Sequence, residues 1–203
     1  MPRITPITSK SQLAPEHQQV YDDVLKVYGD IRGPWTMLLH SPKLTSRVLP
    51  ITPFLWNETT IEGKLRSVGI LTAVRERDAA YVWAAQVGQA RKNGVREEYI
   101  DLLRAKGESG KLPEPERHIV NYVRQLARDN RVDQKTFDAL NKPSGAQWLV
   151  ELTACVGYFG LVCGIANAFE VAVPDGGDKL VAASKAEGGR RKAKGSRKQG
   201  GRI

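Results

Sequence analysis

The stretch from Ser67 to Gly94, SVGILTAVRERDAAYVWAAQVGQARKNG, decides how this chain folds. Val68, Leu71 and Val74 recur at three-residue steps, joined upstream by Leu65, and predict one buried helix starting near Thr60. The charged run through Glu76, Arg77 and Asp78 interrupts that pattern. A second helix resumes near Ala80 with Tyr81 and Trp83 and runs to Asn93, and Gly94 supplies its C-terminal cap. Val82 and Gln86 are four residues apart on this second helix, so they share one face.

The same reading extends in both directions. Val20, Val24, Leu25 and Val27 form the apolar stripe of a first helix that follows Pro15 and ends at Gly29. Residues 31–39 read as a connector punctuated by Gly33-Pro34, and a helix after Pro42 uses Leu44, Val48, Leu49, Phe54 and Leu55. Downstream come a short helix over 96–106, a linker GESGKLPEPE, and an amphipathic helix carrying Ile119, Tyr122, Val123 and Leu126. A shorter helix over 133–140 then leads into a long apolar one from about Gly145 to Glu170. No segment alternates in polarity for long enough to predict a strand. The expected fold class is therefore all-α.

Several motifs stand in a particular order: Gly33-Pro34, Leu38-Leu39-His40-Ser41-Pro42, Tyr81-x-Trp83, Ala90-Arg91-Lys92-x-Gly94, Val150-Glu151-Leu152 with Val156-Gly157-Tyr158, and Asn167 to Val171. In that order and spacing, from about Leu13 to Gly176, the chain resembles the carboxymuconolactone decarboxylase family, whose relatives include the alkylhydroperoxidase D proteins. The resemblance implies an alkylhydroperoxidase D-like helical domain over 13–180, which leaves an N-terminal extension over 1–12 and, by its composition, a basic tail over 181–203. It also implies a homo-oligomer, a trimer or hexamer, with sites near subunit contacts.

Redox members of this family use a Glu, a Cys-x-x-Cys pair and a His four residues after the second Cys. The thiolate reduces the peroxide, while His and Glu move the protons. Aligned on Tyr81 and Trp83, those positions fall on Ser67, Ala79, Val82 and Gln86. Decarboxylase-type members resemble Tyr-Glu-Trp-x-x-His at this place, where this chain keeps Tyr81 and Trp83 but carries Val82 and Gln86. Gln86 can donate and accept hydrogen bonds but cannot exchange a proton as imidazole does. A dithiol peroxidase mechanism is thus not expected, and the decarboxylase relay is altered.

The resemblance leaves six candidates for a site. Tyr81, His40 and Gln86 are the candidate catalytic groups: a phenol for an oxyanion, the one histidine within a matching segment, and an amide at the proton-transfer position. Arg75, Trp83 and Ser67 are the candidate substrate-binding groups, Arg75 for its two-point match to a carboxylate. Each also has a plain structural role open to it: aromatic packing for Tyr81 and Trp83, a backbone bond before Pro42 for His40, a solvated ion cluster for Arg75, and a small helix-facing side chain for Ser67. The three histidines show no metal-ligand spacing, and neither a metal site nor a cofactor is expected.

The formal charge of +9 is concentrated in the tail, where 184–203 holds eight basic residues and one acid and leaves the body near +2. That tail has no aromatic residue and is expected to be disordered, either as a plain solvated extension or as a non-specific nucleic-acid contact. Cys155 and Cys163 lie eight residues apart on one helix, about 12 Å along its axis, too far for a disulfide. So few cysteines suit a reducing cytoplasm. The uncharged run from Leu152 to Phe169, with Gly160-x-x-x-Gly164, is at the lower edge of a membrane span, but the resemblance makes it a buried helix and no membrane partner is expected.

The leading expectation is a cofactor-free lyase or isomerase acting on a small acidic metabolite such as a lactone. One alternative is a non-catalytic homologue that binds a small molecule or a partner without the proton relay. The other is a nucleic-acid-associated protein acting through its tail.

Overall fold

The computed structural model describes residues 2–180 of the chain, all of them in helices, turns and connecting segments, with no strand among them. The expected tail falls outside these residues from Val181 onward, and the reading of it as a nucleic-acid contact falls outside them too. Among the described residues nine α-helices follow in order: α1 (Gln18–Tyr28), α2 (Pro34–Leu38), α3 (Pro42–Val48), α4 (Ile51–Asn57), α5 (Gly63–Glu76), α6 (Ala80–Lys92), α7 (Glu97–Arg104), α8 (Glu114–Asp129) and α9 (Gln134–Ala168).

Helix α5 is the hub, packed against α6, α7, α8 and α9. Its residues from Arg66 to Arg75 are buried without a break, which is why an apolar step of three along one face understated how fully it is enclosed. The break after Glu76 is a Schellman turn. Asp78 takes a left-handed conformation with φ of 49°, Ala79 N–H bonds Val74 O at 3.2 Å and Asp78 N–H bonds Arg75 O at 3.1 Å. Gly94 closes α6 in the same manner, with Val95 N–H on Ala90 O at 3.0 Å.

Two departures from the sequence reading concern the first half. The connector over 31–39 contains a buried helix, α2, started by Pro34 at its first position. The single helix expected after Pro42 is two, α3 and α4, with Pro50 as the N-cap of the second. The N-terminal residues also pack on the body: Ile7 is buried, its N–H bonds Thr36 O at 3.1 Å, and Arg3 pairs with Glu170 at 2.7 Å.

Helix α9 turns at Gly145, whose φ of 83° is non-helical, two residues after Pro143. By length and composition alone it is apolar enough to cross a membrane, yet 56% of its most apolar window is buried within this fold. It is pinned there by Glu151, which accepts from Thr60 N–H at 2.6 Å, Thr60 Oγ1 at 2.8 Å and Gln147 Nε2 at 2.9 Å. Those bonds overcome the burial that would raise its carboxyl and hold it below the ordinary value.

Candidate functional site

A cavity of about 270 Å³ opens beside α6, walled by side chains from five other segments. Tyr81, Val82, Ala85, Gln86 and Gln89 come from α6, which presents the shared face of Val82 and Gln86 to it. Tyr28 (α1), Trp35 (α2), Thr52 and Trp56 (α4), and Tyr158 and Phe159 (α9) supply most of the remainder, with Arg32 the one charged group among the described lining residues. The aromatic walls are mutually packed: Tyr28 and Trp35 have ring centroids 4.8 Å apart, and Trp56 and Tyr158 each meet Phe159 edge-on.

Gly33 is required by this arrangement. Its backbone has φ of 60° and ψ of −139°, and a Cβ there would collide with the Tyr81 ring and hydroxyl. The chain between α1 and α2 can therefore lie flat against Tyr81, with Arg32 next to it at the cavity. Arg32 is exposed and its Nε is 3.1 Å from Asp30, a solvated pair that a ligand carboxylate can replace at little cost.

The polar lining is made of hydroxyls and amides. Tyr28 Oη and Thr52 Oγ1 are 2.7 Å apart, and Thr52 Oγ1 and Tyr158 Oη 2.5 Å apart. Burial pushes the phenols of Tyr28, Tyr81 and Tyr158 above their ordinary values, so all three stay protonated. The half-buried Gln86 amide makes no hydrogen bond to protein among the described residues. Gln89 Nε2 donates to Asn93 Oδ1 at 3.1 Å, and Asn93 Nδ2 donates onward to Ser67 Oγ at 2.8 Å and Gly63 O at 3.2 Å. No His, Cys, Asp or Glu is among the described residues that line the cavity.

Of the six candidates read from the sequence, the structure brings Tyr81 and Gln86 together at this cavity. Ser67 stands behind it, joined to its wall by the Asn93–Gln89 amides. Trp83, two residues from Tyr81, points the other way: it is fully buried, with the Arg104 guanidinium 5.6 Å from its ring centroid. Arg75 is buried at the α5–α6 turn, where its Nε donates to Arg104 O at 2.6 Å and its guanidinium pairs with Asp78. His40 is exposed and its Nε2 is bonded to Thr5 O at 2.9 Å, away from the lining. Tyr28, Arg32, Trp35, Thr52, Trp56, Gln89, Tyr158 and Phe159 are among the lining residues that sequence reasoning missed as site groups. The one available signal was Gly33-Pro34, whose enforced turn sets Trp35 against Tyr28.

Cys155 and Cys163 are free and buried. Burial pushes both thiols up to about 12, which leaves almost no thiolate at neutral pH. Among the described residues no three His, Cys, Asp or Glu side chains gather as a metal site would need.

No protein-family model and no curated protein matches this sequence. Solved structures do match its fold. A protein of unknown function from Agrobacterium tumefaciens, described as a candidate antioxidant-defence protein AhpD, aligns with a TM-score of 0.63 at 19% identity, over 70% of this chain and 99% of that one. An alkylhydroperoxidase AhpD core, an uncharacterised peroxidase-related protein from Ralstonia eutropha JMP134, aligns with a TM-score of 0.68 at 15% identity, over 84% and 92%. A cysteine-to-alanine variant of the debrominase Bmp8 with bound 2,3,4-tribromopyrrole aligns with a TM-score of 0.67 at 17% identity, over 86% and 95%. This chain has the alkylhydroperoxidase D-like fold. At such identities the likeness carries the fold and not the chemistry.

Proposed function

We propose that the protein binds a small acidic metabolite, about the size of one planar ring, in the cavity beside α6, without a thiol or imidazole relay. The observation that carries this reading is the lining itself. An aromatic box with a few convergent hydroxyls and amides is what a small-molecule site looks like. A dry cavity of about 150 Å³ is known to take benzene, so 270 Å³ leaves space for a ring with substituents. Arg32 at the cavity offers the cation for an acid, and Gln86 offers an unengaged amide. The debrominase neighbour, whose ligand is a single halogenated ring, supports the size class.

The expected measurement is a saturable change in tryptophan fluorescence, from Trp35 and Trp56, on titration with benzoate and related single-ring acids. Ala85→Trp, which fills the exposed side of the lining, is expected to abolish the response while leaving the helical circular dichroism intact. Silence across such a panel at millimolar concentration would sink the reading.

A lyase or isomerase on the same acids is favoured by one observation: the protonated phenols of Tyr81 and Tyr158 can donate to an oxyanion formed during reaction. It requires product from those acids, checked by chromatography, and loss of product in Tyr158→Phe. Self-association belongs to the same reading. Val150, Ala154, Gly157, Leu161, Gly164 and Ala168 form an exposed uncharged stripe along α9, spaced by alternating steps of four and three as in helix pairs. Light scattering on the eluting protein tests it, with a lone protomer as the contrary result.

A further inference from the structure

The two amides on the cavity side of α6 differ in how much freedom the protein leaves them. Gln86 and Gln89 are three residues apart on one face of the helix, and both line the cavity. Gln86 has no hydrogen bond to protein among the described residues, so either end of its amide can meet a ligand. Gln89 is tied. Its Nε2 donates to Asn93 Oδ1 at 3.1 Å, and no described donor is bonded to its Oε1.

That tie has a direction, fixed by a backbone carbonyl. Asn93 Nδ2 donates to Gly63 O at 3.2 Å and to Ser67 Oγ at 2.8 Å, which uses both of its protons. A carbonyl oxygen only accepts, so the Asn93 amide cannot be turned over without setting Oδ1 against Gly63 O. The amide also lies across the bare Cα of Gly63: a Cβ there would stand 3.4 Å from Asn93 Cγ and 3.5 Å from both Nδ2 and Oδ1. With Oδ1 held toward Gln89, that residue must answer with Nε2. Turning Gln89 over would lose the bond and set two acceptors together. The order runs from Gly63 O through Asn93 to Gln89, and it leaves Oε1 as the end of the amide that a ligand can reach.

We infer that Gln89 is a specificity-determining residue: its Oε1 accepts a hydrogen bond from an N–H or O–H group of the ligand, distinct from the acid group paired with Arg32. This rests on the proposed binding function and narrows its ligand class to acids that carry a second, donating substituent, an amine or a hydroxyl. Asn93, which is not among the lining residues, is a positioning residue that selects which end of the Gln89 amide is presented. Ser67, only 4% exposed, supplies the second acceptor that keeps Asn93 in place.

Matched probes test this: 3- and 4-aminobenzoate against 3- and 4-methylbenzoate, pairs of nearly equal shape in which only the amine donates. Titration of the full-length protein by calorimetry near neutral pH is expected to show one amino isomer binding about 5-fold more tightly than its methyl counterpart, the scale of one net neutral hydrogen bond. Gln89→Leu brings that ratio to one or below and leaves the methyl affinity within twofold. Asn93→Asp keeps the preference, because a carboxylate only accepts and still holds Gln89 Nε2 toward it. The ratio is read there rather than the absolute affinity, since the added charge acts on both acids alike. Circular dichroism confirms that each variant is folded. Equal or tighter binding of the methyl acids by the unaltered protein overturns Gln89 as a recognition residue and leaves the cavity's role standing. A preference that survives Gln89→Leu overturns the assignment of the acceptor, and one that vanishes in Asn93→Asp overturns its orientation by Asn93. Failure of all four probes to bind overturns the cavity's role along with it.

Discussion

The two ends of the α5–α6 hairpin have divided the chemistry between them. At the turn, Arg75, Glu76, Asp78, Lys106, Arg124 and Arg128 crowd together in ion pairs. Along the α6 face that borders the cavity, Tyr81, Gln86 and Gln89 meet hydroxyls and aromatic rings, with Arg32 the lone charge among the described lining residues. Charged residues in this chain hold helices together, while neutral donors face the space a ligand would fill. The difference teaches that titratable groups near a family's site positions in sequence need not be near its cavity. Arg75 is seven residues from Val82 and Arg77 is five, yet neither lines it.

The sharpest blow to this division is aimed at the turn. Glu76 has a side chain only 5% exposed, bonded to Arg128 at 2.7 and 2.8 Å and 3.4 Å from Arg124. Burial raises its carboxyl, but Arg128, Lys106 and Arg124 together outweigh that and hold it below the ordinary 4.5. Glu76→Gln leaves buried guanidinium charge without its partner and is expected to cost about 3 kcal/mol. In a chain of this length that is roughly 10 °C in thermal midpoint. The sign with pH follows from the lowered value: the carboxylate's contribution is present above about pH 4.5 and is lost as pH falls through its folded value. The gap between the two proteins should therefore narrow in acid. A gap that widens there would mean the pair does not hold the turn. Ligand affinity near neutral pH should stay within twofold, since nothing at this end reaches the cavity.

Gly33 tests the other end. Gly33→Ala places a Cβ into the Tyr81 ring and forces a left-handed backbone on a residue that resists it. The strain is about 2 kcal/mol, and the displaced ring should weaken ligand binding by about tenfold. Gly29→Ala is the control. Its φ is also positive, at 78°, but nothing lies within 4 Å of the added carbon. It should lower the melting temperature and leave affinity alone. Equal losses of affinity in both would show that backbone strain, and not the Tyr81 contact, shapes the cavity.

What could be read from the chain divides along the same line. The hairpin, its break and the shared face of Val82 and Gln86 are local, set by residues three or four apart, so periodicity displays them. The kink at Gly145 and the buried run after it are local as well. The hydroxyl trio is not: Thr52 meets Tyr28 across 24 residues and Tyr158 across 106, and no spacing rule connects three helices that approach only after packing. His40 and Arg75 drew notice because they sit in motif-bearing segments. Each is held by a backbone carbonyl instead, His40 by Thr5 O and Arg75 by Arg104 O. Gln86 was legible through an absence, an amide where the resembled family carries an imidazole, and the structure leaves that amide without a protein partner among the described residues.

The finest test asks whether any titrating group reaches the cavity. The described lining has no His, Cys, Asp or Glu to change charge between pH 5.5 and 8. Affinity for benzoate should therefore be flat across that range in the unaltered protein. His40→Ala removes the one bond to Thr5 O, costs at most about 1 kcal/mol, and should leave the flat profile unchanged. Gln86→His puts an imidazole where the amide was, and affinity for an anionic ligand should then rise about threefold as pH falls through roughly 6.5. A sloping profile in the unaltered protein would break the contrast between the two ends.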